Sequence, residues 1–214
     1  MGGGGPARPV LRRQLVAHLR PGDPLAHRRR GAGPQGRVLA VGGAIHAGDP
    51  FATPPEQRSP VRRLRGRIAA GVTLWTARDA AGAPAGLTVS STVVADGEPA
   101  RLLGLVDDES ELWAALAATG RFAVAVLTDA DRQLADRFAG LLPVPGGPFR
   151  AGEWAATPYG PVPAGASMAG CRLDAARPYG WAMLVEATVE EVDLADGGAP
   201  LVHHRGRYRT ISDR

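Results

Sequence analysis

The sequence predicts a mainly β chain closed into an antiparallel barrel or sandwich. Three observations carry this. Short runs rich in β-branched and aromatic residues recur, turn signals separate them, and the regular strand–helix alternation of a doubly wound sheet is missing. At 214 residues, 44% of them hydrophobic, the chain suits one domain with an attached segment. No run approaches the length of a membrane span. The single cysteine, Cys171, excludes an internal disulfide framework and agrees with a reducing cytoplasm. Its apolar, small-residue surroundings read as those of a buried thiol.

Residues 1–45 do not read as folded domain. They hold no aromatic residue, include Arg28-Arg29-Arg30, and are rich in Gly and Pro, so they bury too little apolar surface to offset chain ordering. The expectation is a flexible basic extension, or a translation start mis-assigned upstream of a non-Met codon near Val38 or Val41. Arg12-Arg13 is not followed by the apolar stretch of an export signal. Gly31-Ala-Gly-Pro-Gln-Gly36 matches G-x-G-x-x-G, but an arginine run precedes it and Pro34 sits inside it, which is the wrong context for a dinucleotide-binding turn.

Net charge is +10 over residues 1–67 and −6 over the remainder, and all 25 basic residues are arginine. With 29 Gly and 19 Pro, this looks like the codon bias of a GC-rich genome. It is not read as a nucleic-acid footprint.

From residue 46 onward the chain reads as the domain. Ser59-Pro60 is an N-cap and first helical position, and Val61, Leu64 and Ile68 form the apolar stripe of a short helix. Val72–Thr76 is a strand, Asp79–Gly82 a turn, and Ala85–Val94 the returning strand of a hairpin. Arg101–Val106 is a strand, and Asp108–Thr119 a helix with Leu112, Trp113 and Leu116 inward. Phe122–Leu127 is a strand, Asp131–Phe138 a short helix, and Gly140–Gly152 a loop. Ser167–Leu173 and Trp181–Leu194 are long strands; Leu201–His204 is a last short one before Gly206-Arg-Tyr-Arg209.

No self-contained catalytic set emerges. Ser90 and Ser91 lack a nucleophile elbow. His203 and His204 are neighbours on a strand, so their side chains point to opposite faces and cannot chelate one metal. Such a chain suits chemistry supplied by a cofactor. Gly86-Leu-Thr88-Val-Ser90-Ser91 fits a bound ring: glycine permits close approach, and Thr88 and Ser90 share a face.

Five segments in order resemble the flavin reductase-like family: Gly66–Thr73, Pro84–Ser91, Gly120–Leu127, Leu134–Gly140 and His204–Tyr208. The resemblance implies an FMN-binding split β-barrel over residues 46–214, Greek-key-like, with short peripheral helices. It implies an NAD(P)H-dependent flavin reductase using FMN, with FAD or riboflavin in its place, and NADH or NADPH as co-substrate. On the matching positions, Thr88, Val89, Ser90, Ser91, Ser110, His204, Arg205 and Tyr208 would contact cofactor, with His204 catalytic and no metal. A homodimer, a monooxygenase component as partner and a cytoplasmic location also follow from it.

The chain departs from the family at Ala125, where an Asn is common, at the turn Asp96–Arg101, and at Asp107-Asp-Glu-Ser-Glu111, where basic and hydroxyl residues are usual. The alternative expectation is a non-catalytic flavin- or haem-binding module on the same barrel.

Overall fold

The structure is a computed structural model that describes residues 59–211; the expected 1–45 extension lies outside them. The first helix, α1 (Pro60–Arg67), begins as its sequence predicts, with Ser59 Oγ accepting the Arg62 amide at 3.2 Å. Its stripe is not buried, however. Val61, Leu64 and Ile68 stay 62–75% exposed.

A two-residue strand, β1 (Ala70–Gly71), leads into the hairpin of β2 (Thr73–Arg78) and β3 (Pro84–Val89). The Asp79 carboxylate accepts the Ala81 and Ala83 amides at 2.9 and 2.8 Å and so fixes the turn. The expected single strand Ala85–Val94 is broken. β3 ends at Val89, and β4 (Val93–Ala95) pairs instead with β5 (Arg101–Val106).

Next come α2 (Glu111–Thr119), β6 (Arg121–Val126) and, after one 3-10 turn, α3 (Arg132–Phe138). The small ribbon β7 (Trp154–Ala156) and β8 (Pro161–Pro163) was not foreseen. β9 (Met168–Tyr179) runs six residues past its expected end and forms a long hairpin with β10 (Ala182–Asp193). The chain closes with β11 (Leu201–His204) and β12 (Arg207–Thr210), which join β1 in a three-stranded sheet.

The main sheet has the order β3-β2-β6-β9-β10-β5-β4, antiparallel throughout. Its first and last strands, β3 and β4, are separated by only Ser90, Ser91 and Thr92. So short a connection cannot cross an open seven-stranded sheet. The sheet must therefore curl until its edges meet, and register shifts in the β9–β10 pairing add coil to it.

The meeting point is held by side chains. Ser91 Oγ accepts the Leu105 amide at 2.9 Å and donates to the Leu105 carbonyl at 3.1 Å, extending the β4–β5 ladder by one step. Thr73 Oγ1 donates to the Val89 carbonyl at 2.8 Å and lies 2.8 Å from Thr92 Oγ1. The Trp75 indole N–H reaches both hydroxyls, at 3.1 and 3.0 Å.

Inside, Trp75 stacks on Phe122 with centroids 4.9 Å apart, among Leu102, Val106, Leu112, Leu116 and Val185. Gly104 makes room for the indole, since a Cβ there would sit 2.7 Å from Trp75 Cζ2. A second cluster beneath α3 joins Leu74, Leu127, Phe138 and Leu201. No described helix is long and apolar enough to cross a membrane.

Cys171 is fully buried, and desolvation pushes its thiol up to about 12. An aromatic disulfide reagent should therefore leave the native protein unmodified at pH 8 and titrate one thiol on unfolding; fast native reaction would show the barrel to be open there. A raised thiol pKa is a stabilising contribution present below the ordinary thiol range. It is lost as pH climbs toward 12.

Candidate functional site

Two groups of the expected site residues emerge, linked by α3. The first is the corner between β3 and β4. Thr88 is half-buried and donates from Oγ1 to the Ala135 carbonyl of α3 at 2.8 Å. Val89 is buried, 2% exposed, and belongs to the core. Ser91 is committed to Leu105 as described. Ser90 is half-buried, and its hydroxyl has no hydrogen-bond partner among the described residues. It is the uncommitted donor and acceptor of the corner.

Ser110 lies beyond β5 and caps α2. Its Oγ accepts the Trp113 amide at 3.1 Å and donates to the Asp107 carbonyl at 2.6 Å. Both capacities serve the helix start. Asp108, Glu109 and Glu111 around it are exposed. The carboxylates complement the positive helix end, as simple capping would.

The second group is the β11–β12 hairpin. Arg205 and Gly206 form its two-residue turn with φ of 53° and 77°, the left-handed pair such a turn requires. Arg205 is the one non-glycine among the described residues with positive φ, and its amide donates to the Gly66 carbonyl at 2.6 Å. His204 is half-buried without a hydrogen bond among the described residues.

Tyr208 pairs across the hairpin with His203, ring centroids 6.0 Å apart. Its hydroxyl donates to the Asp136 carboxylate of α3. Burial and the Asp136 charge hold the Tyr208 phenol well above its ordinary range, and desolvation raises Asp136. Burial, with Arg65 and His204 nearby, lowers His203. A cavity of about 410 Å³ opens here, lined by Arg132, Asp136, Leu141, His203, Arg207 and Tyr208 among others.

Helix α3 thus takes Thr88 on Ala135 and Tyr208 on Asp136, at consecutive positions. The sequence alone does not mark Arg132 or Asp136, and it brings His203 forward only as a neighbour of His204 that cannot share a metal with it. His203 was legible in principle: a two-residue turn at Arg205-Gly206 forces the His203–Tyr208 register. Nothing local marked Asp136, because its partner lies at the far end of the chain.

The corner fits the ring of a flavin better than its phosphate. Ser90 offers an uncommitted hydroxyl at a break in strand pairing, as a polar ring edge needs. Ser110 offers no uncommitted donor and stands among carboxylates, so it does not fit a phosphate.

Comparison with known proteins agrees with this architecture. The family described as flavin reductase like domain matches residues 65–212. The reductase component of 4-hydroxyphenylacetate 3-monooxygenase from Thermus thermophilus is 30% identical over 145 residues, 68% of this chain and 91% of that protein. The NADH-dependent FMN reductase AsuE2 of Streptomyces nodosus subsp. asukaensis is 32% identical over 73% of this chain and 86% of its own. Among solved structures, a flavin reductase domain protein from Arthrobacter sp. FB24 superposes with a TM-score of 0.65 at 26% identity, covering 72% of this chain and 95% of that one.

Proposed function

The chain belongs to the flavin reductase-like family, with the family's split β-barrel fold, and from that premise we propose that it takes hydride from NADH or NADPH and delivers it to a flavin. The observation that carries the proposal is the match over residues 65–212, which takes in almost the whole described barrel. A bound flavin supplies the hydride-accepting ring, and the protein's part is placement.

In this reading Thr88, Ser90 and Ser91 frame the ring with Val89 behind them. FMN is the proposed flavin, with FAD and riboflavin as substitutes. His204, on the unbonded face of β11, orients the nicotinamide, and Arg205 and Tyr208 fix the hairpin that carries it. Ser110 is retained as a helix cap beside the site.

A homodimer is proposed on a further observation. Val93, Leu103 and Leu105 form an outward apolar row, 37–55% exposed, directly beside Ser91. A second copy covering that row would place the corner near the subunit interface. The named reductase components among the relatives support a monooxygenase partner for the reduced flavin.

The test is NADH and NADPH oxidation by purified protein with and without added FMN, FAD and riboflavin. Flavin-dependent turnover is expected. A bound chromophore without turnover would replace the reductase by the non-catalytic module, which the acidic start of α2 also suits. His204→Ala is expected to lower turnover about 100-fold with the unfolding midpoint unchanged, in the usual range for losing a positioning hydrogen bond in the transition state. Unaltered turnover would remove His204 from the mechanism.

A further inference from the structure

The cavity of about 410 Å³ opens between α3 and the β11–β12 hairpin, and its lining is uneven in charge. Arg132 lines it from α3 and Arg207 from β12, Asp136 is the one carboxylate among the lining residues, and Leu141 and Leu142 supply an apolar wall. Arg132 and Asp136 stand four residues apart on α3, a spacing at which helix ion pairs form. They do not pair. Arg132 Nη2 donates instead to Thr210 Oγ1 of β12 at 2.8 Å, and the Asp136 carboxylate takes the Tyr208 hydroxyl.

The two arginines are therefore left without a carboxylate. Arg207 has neither an ion pair nor a hydrogen bond among the described residues, and no hydrogen bond holds the His203 imidazole. Asp131, next to Arg132 in sequence, gives its Oδ2 to the Thr128 amide and hydroxyl at 2.8 and 2.7 Å, and it lines a different cavity. The surroundings add positive charge. Residues 59–78 and 201–211 contain arginines and no acid, and they meet at this hairpin, where the Arg205 amide bonds the Gly66 carbonyl. Burial first, then Arg65 and His204, hold the His203 imidazole below its ordinary range, so it offers one N–H and one acceptor rather than a charge.

Two guanidinium forks on separate elements suit a ligand with more than two acceptor oxygens. A carboxylate fills a single fork. A phosphate monoester offers three terminal oxygens and close to two negative charges at neutral pH, which matches Arg132 and Arg207 together. The Asp136 charge opposes such a ligand, and its bond from Tyr208 turns part of that charge away from the arginines.

We propose that the cavity between α3 and the β11–β12 hairpin is a phosphate-monoester site, with Arg132 and Arg207 as the groups that hold the phosphate. The site stands on the cavity itself; which molecule fills it rests on the reductase reading. Inorganic phosphate, the ribose 2′-phosphate of NADPH and the phosphate of FMN share the chemistry it recognises.

The test is isothermal titration calorimetry of the full chain with inorganic phosphate, acetate, NADPH, NADH, FMN and riboflavin, each on the wild type and on Arg132→Gln/Arg207→Gln. Phosphate is expected to bind with a Kd of about 1 mM or below, and acetate at least about tenfold more weakly. The double variant should lose at least about tenfold in phosphate affinity. Its unfolding midpoint should not move, because both arginines are exposed. Thr210→Val, which releases Arg132 and keeps both charges, should weaken phosphate about threefold.

The paired ligands identify the source. A preference for NADPH over NADH that falls in the double variant, with NADH unchanged, assigns the site to the 2′-phosphate. A preference for FMN over riboflavin that falls in the same way assigns it to the flavin. Loss of phosphate affinity with both pairs unaffected assigns it to free phosphate. Wild-type protein that takes up no phosphate, acetate that binds as tightly, or a double variant that binds phosphate like the wild type would overturn the site. Absence of NADH and NADPH oxidation with phosphate still bound would overturn the reductase reading alone.

Discussion

Trp75→Ala is expected to lower the unfolding free energy by about 4 kcal/mol, close to the entire stability of a marginal domain. The residue is 0% exposed and lies at the one place where the sheet's two edges come together. Truncation empties the space against Phe122 and removes the indole N–H shared by Thr73 and Thr92; Thr73 still accepts from Thr92, but the Thr92 hydroxyl is left without its donor. Trp75→Phe keeps the stack and loses only the N–H and the outer ring, so about half that cost is expected. Urea denaturation with tertiary fluorescence and far-ultraviolet dichroism measures both. A loss under about 1 kcal/mol for the alanine variant would show that the barrel closes without this residue.

Gly104→Ala should cost about 3 kcal/mol, at the upper end for one added methyl group. The new Cβ would lie 2.7 and 2.8 Å from Trp75 Cζ2 and Cη2, and a fully buried indole has nowhere to move. Those two atoms belong to the outer ring that phenylalanine lacks. Gly104→Ala on a Trp75→Phe background is therefore expected to cost at least about 1 kcal/mol less than on the wild-type background. Simple additivity would place the strain elsewhere, for instance against the Ser91 carbonyl 3.5 Å away.

Much of the architecture is written locally. Ser59-Pro60, the Asp79 turn and the β11 boundaries needed only neighbouring residues, and each stands where the pattern put it. The misses have a common cause. Ala85–Val94 alternates like one strand, and nothing inside it reports that its halves belong to opposite edges of a curled sheet; the Thr73–Thr92 contact that bends it is tertiary. The extra length of β9 comes from pairing with β10, not from its own Asp174-Ala-Ala-Arg-Pro sequence. The exposed stripe of α1 shows the reverse case, an amphipathic pattern without a described partner.

The site was less legible than the fold. Thr88, Ser90 and Ser91 were singled out for their hydroxyls, yet only the structure separates the two that are committed from Ser90, which is not. The resemblance sets Ser110 among the cofactor contacts, but its two bonds are those of a helix cap. Asp136 was hidden because its partner, Tyr208, reaches it only through the packing of α3, whereas the hairpin register alone sets Tyr208 opposite His203.

The three-residue link between β3 and β4 also bears on the order in which the chain assembles. The contacts that seal the barrel, Thr73 with Thr92 and Leu105 with Ser91, join residues 19 and 14 apart in sequence. Closing such short loops costs little chain entropy. The distant pairings are interior ones, such as Met183 with Val106. The seal of this barrel is therefore a local event that can precede the wall it completes, and the rate-limiting search falls to the β9–β10 hairpin as it finds β5 and β6.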